Sequence, residues 1–232
     1  MTLTKTALRC LAAALLCAAT AAHASDRPYL ATNSAAAEED DDNVWAIESW
    51  LERVRHGDAL HATVEYAFDP TTSLQLEWVR TRARGLGKVQ DIELEFKHLF
   101  NHIARDGWGW GLSATISASR SESHWQRSAW TLTLPLSMRI GDESLLHLNA
   151  GVAKPVDERI KHTAAIAAER VVWRRTTLFG ELARDADGTL AHVGVRYWVK
   201  KDRVSIDFAL MQRRSEGRRV NGVVFGVGFN DL

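Results

Sequence analysis

From residue 44 onward, short runs of alternating apolar and polar residues restart about every sixteen positions. In Val89–Lys97, Ile92, Leu94 and Phe96 share one side, and Asp91, Glu93, Glu95 and Lys97 share the other. A strand has a side-chain period of two, so such a run writes one apolar and one charged face. The pattern returns at Leu60–Tyr66, Trp130–Leu134, Val204–Phe208 and Val223–Phe229. It predicts twelve strands, near 44–54, 59–68, 73–81, 89–100, 108–119, 129–140, 144–153, 162–172, 176–183, 189–199, 203–212 and 221–230. The first, Val44 to Val54, also fits a helical period through Trp45, Glu48, Leu51 and Glu52, which leaves ten strands as the alternative. The expected fold class is all-β, a closed antiparallel transmembrane β-barrel.

The start of the chain changes the picture by adding a compartment. Lys5 and Arg9 precede an apolar run from Leu11 to Ala19, and Ala22-His23-Ala24 is a small-x-small cleavage site. Residues 1–24 thus read as a signal peptide, and the apolar run is short of the ~20 residues a membrane-spanning helix needs. Cys10 and Cys17 would leave with it, which excludes a disulfide scaffold, a zinc-thiolate site and a cysteine nucleophile. Residues 25–43 hold Ala35-Ala36-Ala37 and the acidic run Glu38–Asp42, with nothing to build a core. They are expected to be a disordered, acidic periplasmic segment ahead of a barrel over 44–232. The acidic run lacks the interleaved glycine of a calcium loop, so it reads as a spacer and not as a metal site.

Charge excludes one more class. Without Lys5 and Arg9 the chain keeps 27 basic against 29 acidic side chains, which is not the balance of a nucleic-acid binder. Nine tryptophans suit a protein with membrane interfaces.

With twelve strands, the even connections are Asp69–Thr72, Asn101–Asp106, Gly141–Glu143, Trp173–Arg175 and Lys200–Asp202, and most of them are tight. The odd ones, including Arg82–Lys88, Arg120–Ser128, Lys154–Lys161 and Arg213–Val220, read as longer loops. That sorting matches short periplasmic turns and longer outside loops. Arg82, Arg84, Lys88, Arg213, Arg214, Arg218 and Arg219 lie in or beside the long connections. Guanidinium groups pair bidentately with phosphate, so this rim is expected to contact lipopolysaccharide or to collect anions weakly around a pore mouth, with ordinary solvated loops as the alternative.

Parity assigns the faces. Leu74, Leu76, Trp78, Trp108, Trp110, Leu112, Ile116, Leu146, Leu148, Val193, Val195 and Tyr197 are expected to face lipid. The opposite parity gives the candidate lumen-lining residues Glu65, Glu77, Asp91, Glu93, Glu95, Lys97, Arg139, His147, His192, Arg196 and Asp207, joined by His61, Asn149, Glu169 and Glu181. Arg139 and Arg196 are the expected counter-charges to the acidic strip. Eight strands leave an interior that side chains fill, and sixteen leave an aqueous channel. Twelve predict a narrow pore crossed by paired charges, with Gly109, Gly111, Ser113, Thr115 and Ser117 as small inward residues that leave room.

The runs Asp91–Lys97, Leu146–Gly151 and Gly180-Glu181 followed by Val193–Tyr197 resemble the transporter family of the phenol meta-cleavage pathway, over roughly residues 44 to 232. The resemblance implies an outer-membrane barrel that passes small compounds, aromatic ones included. Two features depart from it. The chain ends on Leu232 and not on the aromatic residue read by the barrel-assembly machinery, although Phe225 and Phe229 keep the alternation. Many inward positions are charged. Three function classes follow: a passive channel for small solutes, a closed structural or lipopolysaccharide-contacting barrel, and a lipid-modifying enzyme. The last ranks lowest, because His98, His102, His124, His147, His162 and His192 form no local motif with a nucleophile and an acid. Phosphate loops and dinucleotide fingerprints are absent too. The expectation is a non-enzyme without cofactor, whose partners are outer-membrane lipid, lipopolysaccharide, the assembly machinery and a small solute.

Overall fold

The computed structural model describes residues 28–35, 43–83, 87–101, 103–120, 124–185, 188–215, 218–230 and 232. The signal peptide of the sequence reading, the acidic run Glu38–Asp42 and Arg84 lie outside them. Among the described residues the twelve strands are β1 (Val44–Val54), β2 (Gly57–Asp69), β3 (Thr72–Ala83), β4 (Gly87–Leu99), β5 (Trp108–Arg120) and β6 (Gln126–Arg139), then β7 (Ser144–Pro155), β8 (Lys161–Trp173), β9 (Thr176–Arg184), β10 (Thr189–Lys200), β11 (Val204–Ser215) and β12 (Arg218–Phe229). Each pairs antiparallel with its neighbours in sequence, and β1 pairs with β12, so the sheet closes. Closure leaves no unpaired edge. The terminal Leu232 extends the seam: its amide donates to the Trp45 carbonyl at 3.1 Å.

The helical alternative for the first segment is excluded. In β1, Trp45 and Ile47 point outward and are exposed, while Val44, Ala46, Glu48 and Glu52 are buried on the inner side. That is a period of two, and the strand is hydrogen-bonded on both flanks.

Loop lengths depart from the expectation. At the end of the barrel that carries Val44 and Phe229 (the near end), the connections include the two-residue turns at 70–71 and 174–175 and a longer link, 100–107, with a single helical turn at Ile103–Asp106. At the far end, β3 to β4 are separated by three residues, β5 to β6 and β7 to β8 by five each, and β11 to β12 by two. Of the supposed long outer loops, 82–88 and 213–220 are mostly strand. Arg82 pairs with Lys88 and Arg214 with Arg219 as cross-strand partners. Polar residues on the outward face had the look of loop, but the backbone ladder runs on through them.

The outward face is apolar around the wall. Leu76, Leu94, Ile116, Leu134, Leu182, Val193, Leu210 and Phe225 are all exposed. A continuous belt of this kind far exceeds the patches that water-soluble monomers tolerate, and it matches a lipid-facing band. The two rims differ. Near the chain ends, rings cluster: Trp45 lies 4.6 Å from Tyr66, and Phe100 lies 4.6 Å from Trp110. Such amphipathic rings favour the headgroup level. The far rim has no such ring cluster among the described residues, and exposed cations lie at both ends: Arg53, Arg82, Lys88, Arg214, Arg218 and Arg219 at the far rim, Arg105, Arg139, Arg174, Arg175, Lys200 and Lys201 at the near one.

Candidate functional site in the barrel lumen

The inward parity of each strand converges on one interior. It falls into two halves of different character.

The far half is a cavity of about 1360 Å³ lined by β1 to β5 on one wall, by Ala129, Thr131 and Thr133 on β6 and Asn221 on β12 at its flanks, and by Thr163, Asp185 and Met211 among the residues opposite. Its first wall is acidic. Glu48, Thr63, Glu77, Glu93 and Ser117 are successive cross-strand partners on β1, β2, β3, β4 and β5, so they form one row. Glu77 and Glu93 face each other directly, an arrangement that like charges make unfavourable. His61 relieves part of this: its ring lies 2.7 Å from Glu77 and 3.3 Å from Glu52, and stacks on Trp50 at 4.7 Å. Asp91 accepts a hydrogen bond from the Ser119 hydroxyl. Below this row Lys97 lies 3.4 Å from Glu65, both buried. Thr63 is 4 % exposed, and its hydroxyl has no hydrogen-bond partner among the described residues.

The near half is packed. Its filling is the part of the molecule that the sequence reading missed. Residues 28–35, expected to belong to a disordered tail, lie inside the barrel: Tyr29, Thr32, Ser34 and Ala35 are all buried. Side chains of the wall hold this segment by its backbone. The amides of Leu30 and Ala31 both donate to the Glu181 carboxylate at 2.9 Å, and the Thr32 hydroxyl donates to it at 2.7 Å. The Asn149 side chain accepts from the Asn33 amide at 2.6 Å and donates to the Asn33 carbonyl at 2.8 Å. The Ala35 amide donates to the Ser137 hydroxyl at 2.8 Å, and the Tyr29 hydroxyl to Glu169 at 3.2 Å. Asn33 also reaches Glu95 and Ser113. The Tyr29 ring meets His147 at 5.2 Å and Phe179 at 6.1 Å, edge-on. The physical reason for the correction is that a strap needs no core of its own when an inward-facing wall satisfies its donors.

The remaining candidates divide accordingly. His147 and His192 are buried behind the strap. His147 is bonded to Ser137 at 2.7 Å, and His192 lies 3.5 Å from Glu181. Ser137 and His147 form a nucleophile–base pair in distance only, because Nε2 of His147 has no acid to orient it among the described residues. Arg196 is not a counter-charge to the acidic row: it makes a two-pronged bond to its cross-strand partner Asp207 at 2.7 and 2.8 Å. Arg139 ends β6 at the near rim and is exposed, away from Glu93 and Glu95. Arg213 lines the far mouth, 3.6 Å from Asp185. Among the described residues no group of three His, Asp or Glu is placed to hold a metal ion.

Arg196 is 2 % exposed, so its pairing has a predictable cost of removal. Asp207→Ala leaves a buried guanidinium without its carboxylate, and should destabilise the barrel by about 3–5 kcal/mol. The readout is the temperature at which the folded electrophoretic form is lost; an unchanged temperature would show the pair to be dispensable.

The family described as "Uncharacterised conserved protein UCP029691" matches residues 12–229. No curated protein matches. Several solved outer-membrane barrels share the fold. The KdgM porin superposes with a TM-score of 0.64 at 12% identity, covering 79% of this chain and 98% of its own. It has also been solved in complex with disordered oligogalacturonate. The NanC porin gives 0.57 at 10% identity, covering 80% of this chain and 98% of its own. An outer membrane channel from Pseudomonas putida F1 gives 0.60 at 9% identity, with 86% and 98% covered. At these identities the likeness is one of fold.

Proposed function

We propose that this chain, which belongs to the UCP029691 family, is a passive channel for small solutes in the bacterial outer membrane, with a preference for cations. The observation that carries this reading is the combination of a lipid-type apolar exterior with a polar cavity inside a closed wall. The near end, which carries both ends of the barrel and the aromatic rim, is the periplasmic one. The far rim then meets the phosphate-rich leaflet, where Arg82, Lys88, Arg214, Arg218 and Arg219 pair with lipopolysaccharide.

The solute class follows from the acidic row. Carboxylates at Glu48, Glu77 and Glu93, with Glu52, Asp91 and Glu95 beside them, outnumber His61 and Lys97 on that wall. Rings of acidic side chains favour cations. An anionic sugar of the kind solved with the KdgM porin is repelled by the same wall. The resemblance to the phenol meta-cleavage transporters rests on runs such as Asp91–Lys97, which here form an ordinary strand. The charge of the lumen supports polar solutes over aromatic hydrocarbons.

The test is conductance and reversal potential in a planar bilayer. Glu77→Gln with Glu93→Gln should shift the reversal potential across a salt gradient towards that of a non-selective pore. An unshifted potential in a conducting protein would take these residues off the ion path. A second reading, a closed barrel whose role is contact with lipopolysaccharide, is supported by the packed near half. It is favoured if the protein never conducts and charge removal at Arg82, Lys88, Arg214 and Arg219 weakens lipid binding.

A further inference from the structure

We propose that the near half of the lumen is a binding site for an extended polypeptide backbone, and that residues 28–35 are its tethered occupant: a plug that must withdraw for the barrel to conduct. The proposal rests on the channel reading for its consequence and on the strap geometry for its site.

The wall is built for a main chain. Glu181, Asn149 and Ser137 take four backbone amides of the strap, and Asn149 returns a donor to a backbone carbonyl. Asn149 thereby does with a side-chain amide what a neighbouring strand does with its backbone. All three are more than nine-tenths buried, at 3, 8 and 0 % exposure. A buried carboxylate is tolerated only when it is well supplied with donors. Glu181 receives three from the strap, so its placement there presupposes either the strap or another donor-rich occupant. The wall is also shaped for a backbone. Glu181, Ala167, His147, Ser137 and Gly109 are successive partners on β9, β8, β7, β6 and β5. The strap follows this row, from Leu30 at Glu181 to Ala35 at Ser137. At its end a side chain on Gly109 would overlap the Ala35 carbonyl oxygen, so the row finishes in a glycine that admits a main chain.

The position of the strap gives it the role of a plug. Tyr29 to Asn33 line the far cavity from below, and beneath them Ser113, Ser137 and His147 are at most 1 % exposed. Inward residues of a water-filled passage would be wet.

Two measurements on the full-length chain test this. The first is a tether. The Ala35 amide sits 2.8 Å from the Ser137 hydroxyl, within reach of a disulfide in Ala35→Cys with Ser137→Cys. Oxidised protein should be silent in a planar bilayer, and reduction should restore current. The same non-zero current in both states overturns the plug and leaves the channel reading standing. The second measurement needs no current. In Asn33→Cys, reaction of the thiol with a water-soluble maleimide reports withdrawal of the strap from the folded barrel. Adding Glu181→Ala should speed that reaction about tenfold or more, because three strap donors lose their acceptor. An unchanged rate overturns the backbone site. Silence in both redox states together with the accelerated labelling retains the strap site and overturns both its gating role and the channel.

Discussion

Arginine placed at Leu94, Leu134 or Phe208 should abolish assembly of the barrel, whereas arginine at Thr115 or Thr131 should leave it intact. The first three side chains face outward and are 39, 51 and 40 % exposed in the belt that meets lipid. Charge at such a position costs about 2–4 kcal/mol near the bilayer midplane, against a total stability of about 5–15 kcal/mol for a typical domain. Thr115 and Thr131 line the far cavity, where a guanidinium stays hydrated and faces the acidic wall. The measurement is the fraction of protein in outer-membrane extracts that migrates as the folded form before heating. Similar fractions for the two sets would mean that the lipid and lumen faces are wrongly assigned, and a reversed outcome that they are exchanged.

Valine at Gly109 should expel residues 28–35 while the wall survives. Its side chain would occupy the space of the Ala35 carbonyl, which has the Ser137 hydroxyl on its own amide and nowhere to retreat along the row. Overpacking costs about 1–3 kcal/mol, and the weakest cooperative unit should absorb it. The strap is that unit, because side-chain hydrogen bonds hold it while two ladders hold every strand. Deuterium exchange reads the result. The amides of Leu30, Ala31, Asn33 and Ala35, all bonded to the wall, should lose protection by roughly tenfold or more, with the strands unaffected. Retained protection at these four amides would show that the strap accommodates the valine.

The contrast between wall and strap explains what was legible in the sequence. A strand buried on one face and bathed in lipid on the other must alternate. Parity alone therefore put Glu77, Glu93, Glu95, His192 and Asp207 on the inner side, where the structure has them. Parity does not say whether an inward residue is wet. Ser205 and Thr131 share that parity, yet one is 0 % exposed and the other lines the cavity. It is also silent on which inward residues meet, so it allows Arg196 as a counter-charge to Glu93 and Glu95, whereas the partner is Asp207, directly across on the adjacent strand. Residues 28–35 have no period, because their partners are side chains at positions 95, 137, 149 and 181. A segment of that kind has the composition of a tail wherever it ends up.

The seam between β1 and β12 has a kinetic consequence. The contacts that close the sheet, Ile47 with Phe229 through Val54 with Gly222, join the first strand of the barrel to the last. Loop-closure entropy has to be met before such distant contacts reward it, so the closing step falls late and is slow. Until it happens, β1 and β12 each present a row of unpaired amides and carbonyls, the template for aggregation with another chain. The assembling barrel therefore stays vulnerable until its last pairing forms, and a truncation that removes β12 leaves two open edges instead of a slightly smaller barrel.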